Sequence, residues 1–370
     1  MSGALDNTSH QHRIDYLDGL RGLAILMVVV LHYLAHPEKI SRVAYYHDHT
    51  IVPLGNFGVQ MFFIISGYVI FMTLDKTPNF FRFIVQRWIR LFPAMLVATV
   101  FIVAVAYVMP YRPGGIPRIV DLVPGLTLAG ANFVSAVAGV ETIGLERGFW
   151  SLYVEFRYYI MFGALFYLLG RHRSFFTLTA LSFVLLCAIK TAALIGGPIE
   201  GKAYSLFGKM MIGLYLPWFL FGMYAYLYRF EKYLWVPFVL VANAAAYHLE
   251  SVGTVMMSIG VPLLAFALFR YQPFQQAFRA RFLLFLGAVS YPLYLINDSI
   301  GRGLIRTMYE MAGGRVPFEI FAVLTMVLIL VPSWIIARLI EPPMQRWLKR
   351  VLLKRGGAAP IAAPVAVKEA

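Results

Sequence analysis

Residues Asp15–His36 read DYLDGLRGLAILMVVVLHYLAH, and the reading of the whole chain works outward from them. The stretch supplies about 20 mostly apolar residues, enough to cross a hydrocarbon core of ~30 Å as a helix. It also carries Arg21 near its start and His32 near its end. Ionisable groups inside a membrane helix are costly, and they mark functional sites by default. A rise of 1.5 Å per residue separates the two by roughly 16 Å along the axis, and their spacing is close to three full turns. One helix face therefore presents a permanent cation at one membrane surface and a titratable imidazole deeper in. The plain alternative is an arginine that snorkels to the interface and a histidine hydrogen-bonded in the core.

Composition extends this reading to the rest of the chain. Its 370 residues are 60% hydrophobic and only 14% charged, and mean hydropathy is +0.71. Apolar segments recur almost throughout, which defines an all-α polytopic membrane protein. The net charge of +14 sits in short clusters between apolar runs, a placement that fits membrane topology and not a nucleic-acid-binding face. A single cysteine, Cys187, excludes an intramolecular disulfide and a cysteine-held metal cluster. The polar leader has no small-residue cleavage site, so no cleavable signal peptide is expected.

Hydropathy gives ten transmembrane spans: 17–36, 54–74, 91–109, 149–169, 175–196, 207–228, 233–249, 254–270, 282–306 and 317–339. Most lysines and arginines outside the spans fall in the even-numbered connections and the tail, which sets both termini in the cytoplasm. Residues 1–355 form the membrane domain, and 356–370, rich in Ala and Pro, are expected to be a disordered cytoplasmic tail. The connection 110–148 is the longest. It is read as a re-entrant or lid segment on the outer face, since an eleventh span there would invert the charge pattern downstream.

Span lengths allow depths to be counted. His32 lies roughly 22 Å above the inner surface on the first span. Counted from the outer ends of their spans, Gln60 and Glu155 fall at a similar level, and so do Asn297 and Asp298 on the ninth span. A carboxylate beside an imidazole orients the ring and raises its basicity, so this layer is read as a general-base site. A buried network that only joins helices is the structural alternative. A second cluster, Arg82, Arg87 and Arg90 in FFRFIVQRWIRLFPA, precedes the third span on the cytoplasmic side with Arg21. Guanidinium forks suit phosphate, although basic residues at this position also set topology and touch anionic lipid.

Six segments together resemble the acyltransferase-3 family of integral membrane O-acyltransferases. They are LDGLRGLAILMVVVLHY, GNFGVQMFFIISGYVI, FFRFIVQRWIRLFPAML, GFWSLYVEFRYYIMF, FLGAVSYPLYLIND and EPPMQRWLKR, and they occur in the family order from residue 15 to about 350. With no soluble domain after the tenth span, the chain resembles the stand-alone form. The resemblance implies residence in the bacterial cytoplasmic (inner) membrane. It also implies transfer of an acyl group, usually acetyl, from cytoplasmic acyl-CoA to a hydroxyl of an extracytoplasmic glycan or glycolipid, without a metal. By position, His32 matches the family's essential histidine and Arg21 its paired arginine. Arg87 and Arg90 match the basic motif, Glu155 the Trp-Ser-Leu-x-x-Glu glutamate, and Ser66 and Gly67 the Ser-Gly of the second helix. The ninth-helix motif commonly ends in histidine where this chain has Asn297, which cannot relay a proton near neutral pH.

The expected mechanism has Arg21, Arg87 and Arg90 holding the CoA phosphates while His32, oriented by Glu155 and with Asn297 and Asp298 nearby, takes the acceptor's proton. Gln60, Trp150, Ser151 and Tyr153 are the expected acceptor contacts at the outer mouth. Ser66 is expected to lie well below the His32 layer and is not the nucleophile. Arg157 is an unexpected intramembrane charge whose partner is expected to be Glu155 or another carboxylate. Two alternatives remain: the same chemistry on a small molecule such as a macrolide, and a proton-coupled transporter, which the lack of an internal repeat disfavours.

Overall fold

A computed structural model describes residues 3–34, 55–109, 111–195, 212–246, 249 and 251–353. The described residues are helical without strands, as expected of backbone that must satisfy its own hydrogen bonds in lipid. In chain order the helices are α1 (Gly3–Leu34), α2 (Phe57–Leu74), α3 (Phe80–Val108), α4 (Ile119–Thr127), α5 (Ala131–Ala138), α6 (Trp150–Leu169) and α7 (Arg171–Ile195). They continue as α8 (Ile212–Tyr228), α9 (Trp235–Ala246), α10 (Val252–Arg270), α11 (Gln272–Ala277), α12 (Arg281–Ile296), α13 (Ser299–Met311), α14 (Phe318–Ile335) and α15 (Glu341–Leu353). A π-helical turn, Ile336–Ile340, joins α14 to α15.

Among the described residues seven helices are long and apolar enough to cross a membrane, or eight with α12 and α13 taken as one bent span. These eight fall on eight of the ten expected spans. The sixth and seventh correspond to α8 and α9, which are described over 17 and 12 residues and each adjoin residues outside the description. The expected tail 356–370 and the connections around Lys39, Arg42 and Lys202 lie outside the described residues.

Three departures from the expected spans shape the site. First, α3 is one continuous helix of 29 residues from Phe80, so the helix that carries Arg82, Arg87 and Arg90 runs unbroken into the span expected from residue 91. Second, the ninth span does not run straight from 282 to 306. It bends by 77° between α12 and α13, with Asn297 and Asp298 at the corner. Third, α4 and α5, at 9 and 8 residues, are too short to cross, and the connection 111–146 folds as a cap against the corner of the bent span. Asp121 ties that cap together: it takes both Nε (2.9 Å) and a terminal nitrogen (3.0 Å) of Arg118, and it accepts the backbone N–H of Ile143 (3.0 Å).

The bundle is close-packed where the site lies. α1 packs along α12, and α2 packs along α8 and α1. Glycine sets two of these approaches, since a Cβ at Gly287 would sit 1.9 Å from the Asp18 carbonyl oxygen and one at Gly67 2.0 Å from that of Phe219. Small residues permit such backbone contact between membrane helices, which gives Gly67 of the Ser-Gly pair a packing reason to be there.

Candidate active site

The half of the bundle around the start of α3 holds the guanidinium cluster. A cleft of about 570 Å³ is lined by Arg82, Gln86, Arg87, Arg90 and, from α15, Gln345 and Lys349. It shares Arg87 and Arg90 with a smaller inner cavity of about 70 Å³, which adds Arg21, Ser66, Glu155 and Tyr159. Arg87 is buried, donates to Thr73 Oγ1 and to the Val69 carbonyl (3.3 Å), and lies over the rings of Phe83 (5.6 Å) and Tyr159 (5.4 Å). Arg90 is exposed into the cleft. Arg21 pairs with Asp18 one turn earlier at 2.5 Å. Five basic side chains thus line the two cavities where the sequence reading placed four, with Lys349 of the EPPMQRWLKR segment added from the far end of the chain.

Glu155 belongs to this half. Ser66 Oγ donates to its carboxylate (2.7 Å), and the Tyr159 hydroxyl donates to the same oxygen. The expected contact between Glu155 and His32 is absent. The depth count took Phe149 as the outer end of its span, whereas the contacts of α6 place its start below Asn297. The Tyr294 hydroxyl, on α12 one turn below Asn297, donates to the Gly148 carbonyl (2.8 Å) and shares a hydrogen bond with Ser151 Oγ (2.7 Å). The start of α6 is therefore sunk beneath the cap, and Glu155, about 6 Å further down from Ser151, reaches the level of the arginines. Gln60 is also displaced from the expected layer. Gly58 abuts Ala24 and Val28, which sets the buried Gln60 about two turns below His32.

What meets His32 is the corner of the bent span. His32 Nδ1 lies 2.5 Å from Asn297 Oδ1. The amide cannot turn over without loss, because Asn297 Nδ2 already donates to the carbonyls of Leu293 (3.0 Å) and Tyr294 (2.9 Å). Its oxygen is thus committed to accepting, and the imidazole must carry its proton on Nδ1. The Nε2 lone pair is left as the basic atom, the same tautomer fixing that a carboxylate would provide. Asparagine in place of the family histidine orients His32 without titrating.

Asp298 is engaged elsewhere, by Arg302 at 2.6 Å and, more weakly, by Arg147 at 3.8 Å. Beside it lies a buried network that sequence reading missed. Arg112 donates to Ser299 Oγ (3.1 Å), to the Leu145 carbonyl (2.9 Å) and to Glu146 (3.3 Å), and Glu146 accepts the Ser299 backbone N–H (3.2 Å) and hydroxyl. Burial pushes the Glu146 carboxyl up to about 7, with Asp298 adding to the effect. The one sequence signal was the Asp298–Arg302 spacing of four, which pairs charges on one helix face.

The remaining expected residues line the outer side. Trp150 packs against Tyr215 (5.1 Å) and Phe63 (6.4 Å), and with Tyr153 it borders a cavity under the cap. Ser151 is buried and spent on Tyr294. Arg157 borders the same cavity and donates to a backbone carbonyl, that of Ala129, at 3.5 Å.

A family model described as an acyltransferase domain matches residues 14–338. Comparison with curated proteins and with solved structures gave no match.

Proposed function

Because the chain belongs to the acyltransferase-3 family, we propose that it moves an acyl group, usually acetyl, from cytoplasmic acyl-CoA to a hydroxyl of an extracytoplasmic glycan or glycolipid. On this reading it lies in the bacterial cytoplasmic membrane as ten spans with both termini inside. The observation that carries the proposal is that the basic cleft and the inner cavity share Arg87 and Arg90 as lining residues.

The nucleotide phosphates sit in the cleft on Arg82, Arg90 and Lys349, where guanidinium forks and an ammonium match their charge and geometry. Arg87 closes the cleft's inner end. The pantetheine arm enters beside Arg21 and Glu155 and rises past Tyr294. The arm is about 15–20 Å long by bond lengths, comparable to the roughly 16 Å between Arg21 and His32. At its tip the acceptor hydroxyl attacks the thioester carbonyl while its proton passes to His32 Nε2. The C–O bond forms, the C–S bond breaks, and the imidazolium returns the proton to the departing thiolate. Glu155, bonded to Ser66 and Tyr159, is electrostatic in this scheme: it balances the arginines and keeps the empty cavity from carrying uncompensated positive charge.

Purified protein in detergent with labelled acetyl-CoA and an added surface glycan tests the proposal. Glycan-dependent release of CoA, abolished in His32→Ala protein that elutes and melts like wild type, is the expected result. Full activity in that variant, or solute uptake without CoA consumption, overturns it.

A further inference from the structure

The connection 111–146 contains a helical hairpin. α4 and α5 are joined by the turn 128–130, where Leu128 and Gly130 adopt positive φ (57° and 79°). Polar groups close its open end. Arg118 donates to the Glu141 carbonyl (2.8 Å) and pairs with Asp121, which accepts the Ile143 N–H. The turn is the deep end. Arg281 is an exposed cation at the foot of α12. Tyr294 stands roughly 20 Å further along that helix, and its hydroxyl meets Gly148 and Ser151 at the start of α6. The hairpin turn packs further down α6. A Cβ at Gly130 would lie 3.6 Å from the Tyr153 ring and 2.9 Å from the Arg157 guanidinium, and the Ala129 carbonyl accepts from Arg157 at 3.5 Å. Counted from Arg281, the turn therefore lies inside a hydrocarbon core of ~30 Å. Backbone outside a helix is tolerated at that depth where its polar groups are met, and Arg157 meets one of them.

The outward face of the hairpin is apolar. From Ile119 to Val140 the sole charged residue is Asp121, and it is buried against Arg118. Ile119 and Val123 share one face of α4, and Phe133 and Val137 share one face of α5. They are 85%, 36%, 58% and 73% exposed, and none of them lines the cavity between the hairpin and α6. The hydroxyls of Thr127 and Ser135 are spent on carbonyls one turn earlier, at 2.7 and 2.9 Å. The apolar surface continues onto α3, against which α4 packs and whose Tyr107 and Val108 are exposed. From these features we propose that α4 and α5 are bedded in the membrane leaflet on their side of the bundle. Acyl chains cover Ile119, Val123, Phe133 and Val137, and the Arg118–Glu141 end sits at the headgroups. A large exposed apolar patch marks contact with a membrane or a protein. Here the depth of the turn argues against a soluble partner, and continuity with a membrane-crossing helix argues for lipid over a second copy of the chain. The proposal rests on the fold and stands independently of the acyltransferase reading.

The test uses the full chain in phosphatidylcholine nanodiscs. Cys187→Ser removes the native thiol, and nitroxide labels are placed through Phe133→Cys, Val137→Cys and Glu141→Cys. Labels at positions 133 and 137 should collide more with oxygen, which dissolves in hydrocarbon, than with a water-soluble nickel chelate. The label at 141 should show the reverse order. Nickel access at 133 and 137 equal to that at 141 puts the face in water and overturns the proposal. Exclusion of both relaxants means that protein covers the face, a second copy if the labels broaden one another, and is equally fatal. Should the cysteine variants not fold, wild-type protein in discs with a diazirine-bearing phosphatidylcholine gives an independent reading. Carbene adducts must then appear between residues 119 and 138, and their absence there while α10 is labelled sinks the idea.

Discussion

The two halves of the molecule use arginine in opposite ways. In the half around α3, Arg87 is held by a hydroxyl, a carbonyl and two aromatic faces, and Arg90 opens into a large cleft. On the outer side, Arg112 and Arg302 are buried against Glu146 and Asp298 at 3.3 and 2.6 Å. Neutral partners position a cation while leaving its charge available to a ligand. A carboxylate partner consumes that charge, and a buried pair of this kind fixes one arrangement of the chain. Arg87 and Arg90 are therefore set for recognition, and Arg112 and Arg302 for architecture.

The largest expected effect breaks the architectural half. Glu146→Ala leaves Arg112 buried without its carboxylate and should cost about 3–5 kcal/mol of stability, read as a lower midpoint in detergent melting. Restoring most of that loss with Arg112→Met in the same chain would confirm that the pair is structural, and a Glu146→Ala melt like wild type would erase the distinction. Next, Asn297→Leu should lower kcat about 10–100-fold with the KM for acyl-CoA unchanged, because the tautomer of His32 is no longer fixed. Asn297→His should retain more activity than Leu and add a titration to the pH–rate profile. Arg90→Gln sharpens the recognition half: the KM for acyl-CoA should rise about tenfold while the melting midpoint stays put.

The smallest effect concerns the cap. Arg118 holds the Asp121 carboxyl down at about 2 by hydrogen bonding. A carboxyl lowered on folding stabilises the folded form above its ordinary value near 4 and loses that contribution as pH falls through 2. Hydrogen exchange in residues 119–146, corrected for intrinsic rate, should therefore accelerate between pH 4 and pH 2. Arg118→Gln should move that acceleration to higher pH.

Much of the cytoplasmic half was readable in the sequence, because its signals are local. Arg21 and His32 share a helix whose spacing can be counted, and Arg87 and Arg90 lie on adjacent turns of another. The outer half depends on where segments start in depth, and hydropathy does not encode that. Glu155 was assigned to the wrong level because Phe149 looks like the outer end of a span, yet the Tyr294 hydroxyl holds the neighbouring Gly148 below the cap. Asn297 was read as a loss of function relative to histidine. Its part in fixing the His32 tautomer appears only once the carbonyls of Leu293 and Tyr294 have claimed its amide hydrogens. Arg112 and Glu146, 34 residues apart in one connection, gave no periodic signal at all.

The corner at Ser299 ties two mechanical elements into one. The amide at the start of α13 finds its acceptor on Glu146 of the cap instead of on the preceding turn of its own helix. Loss of this bond would remove a prop of the bent span, which carries Asn297 beside His32. The seating of the cap and the angle of the bent span thereby meet at one residue, Ser299.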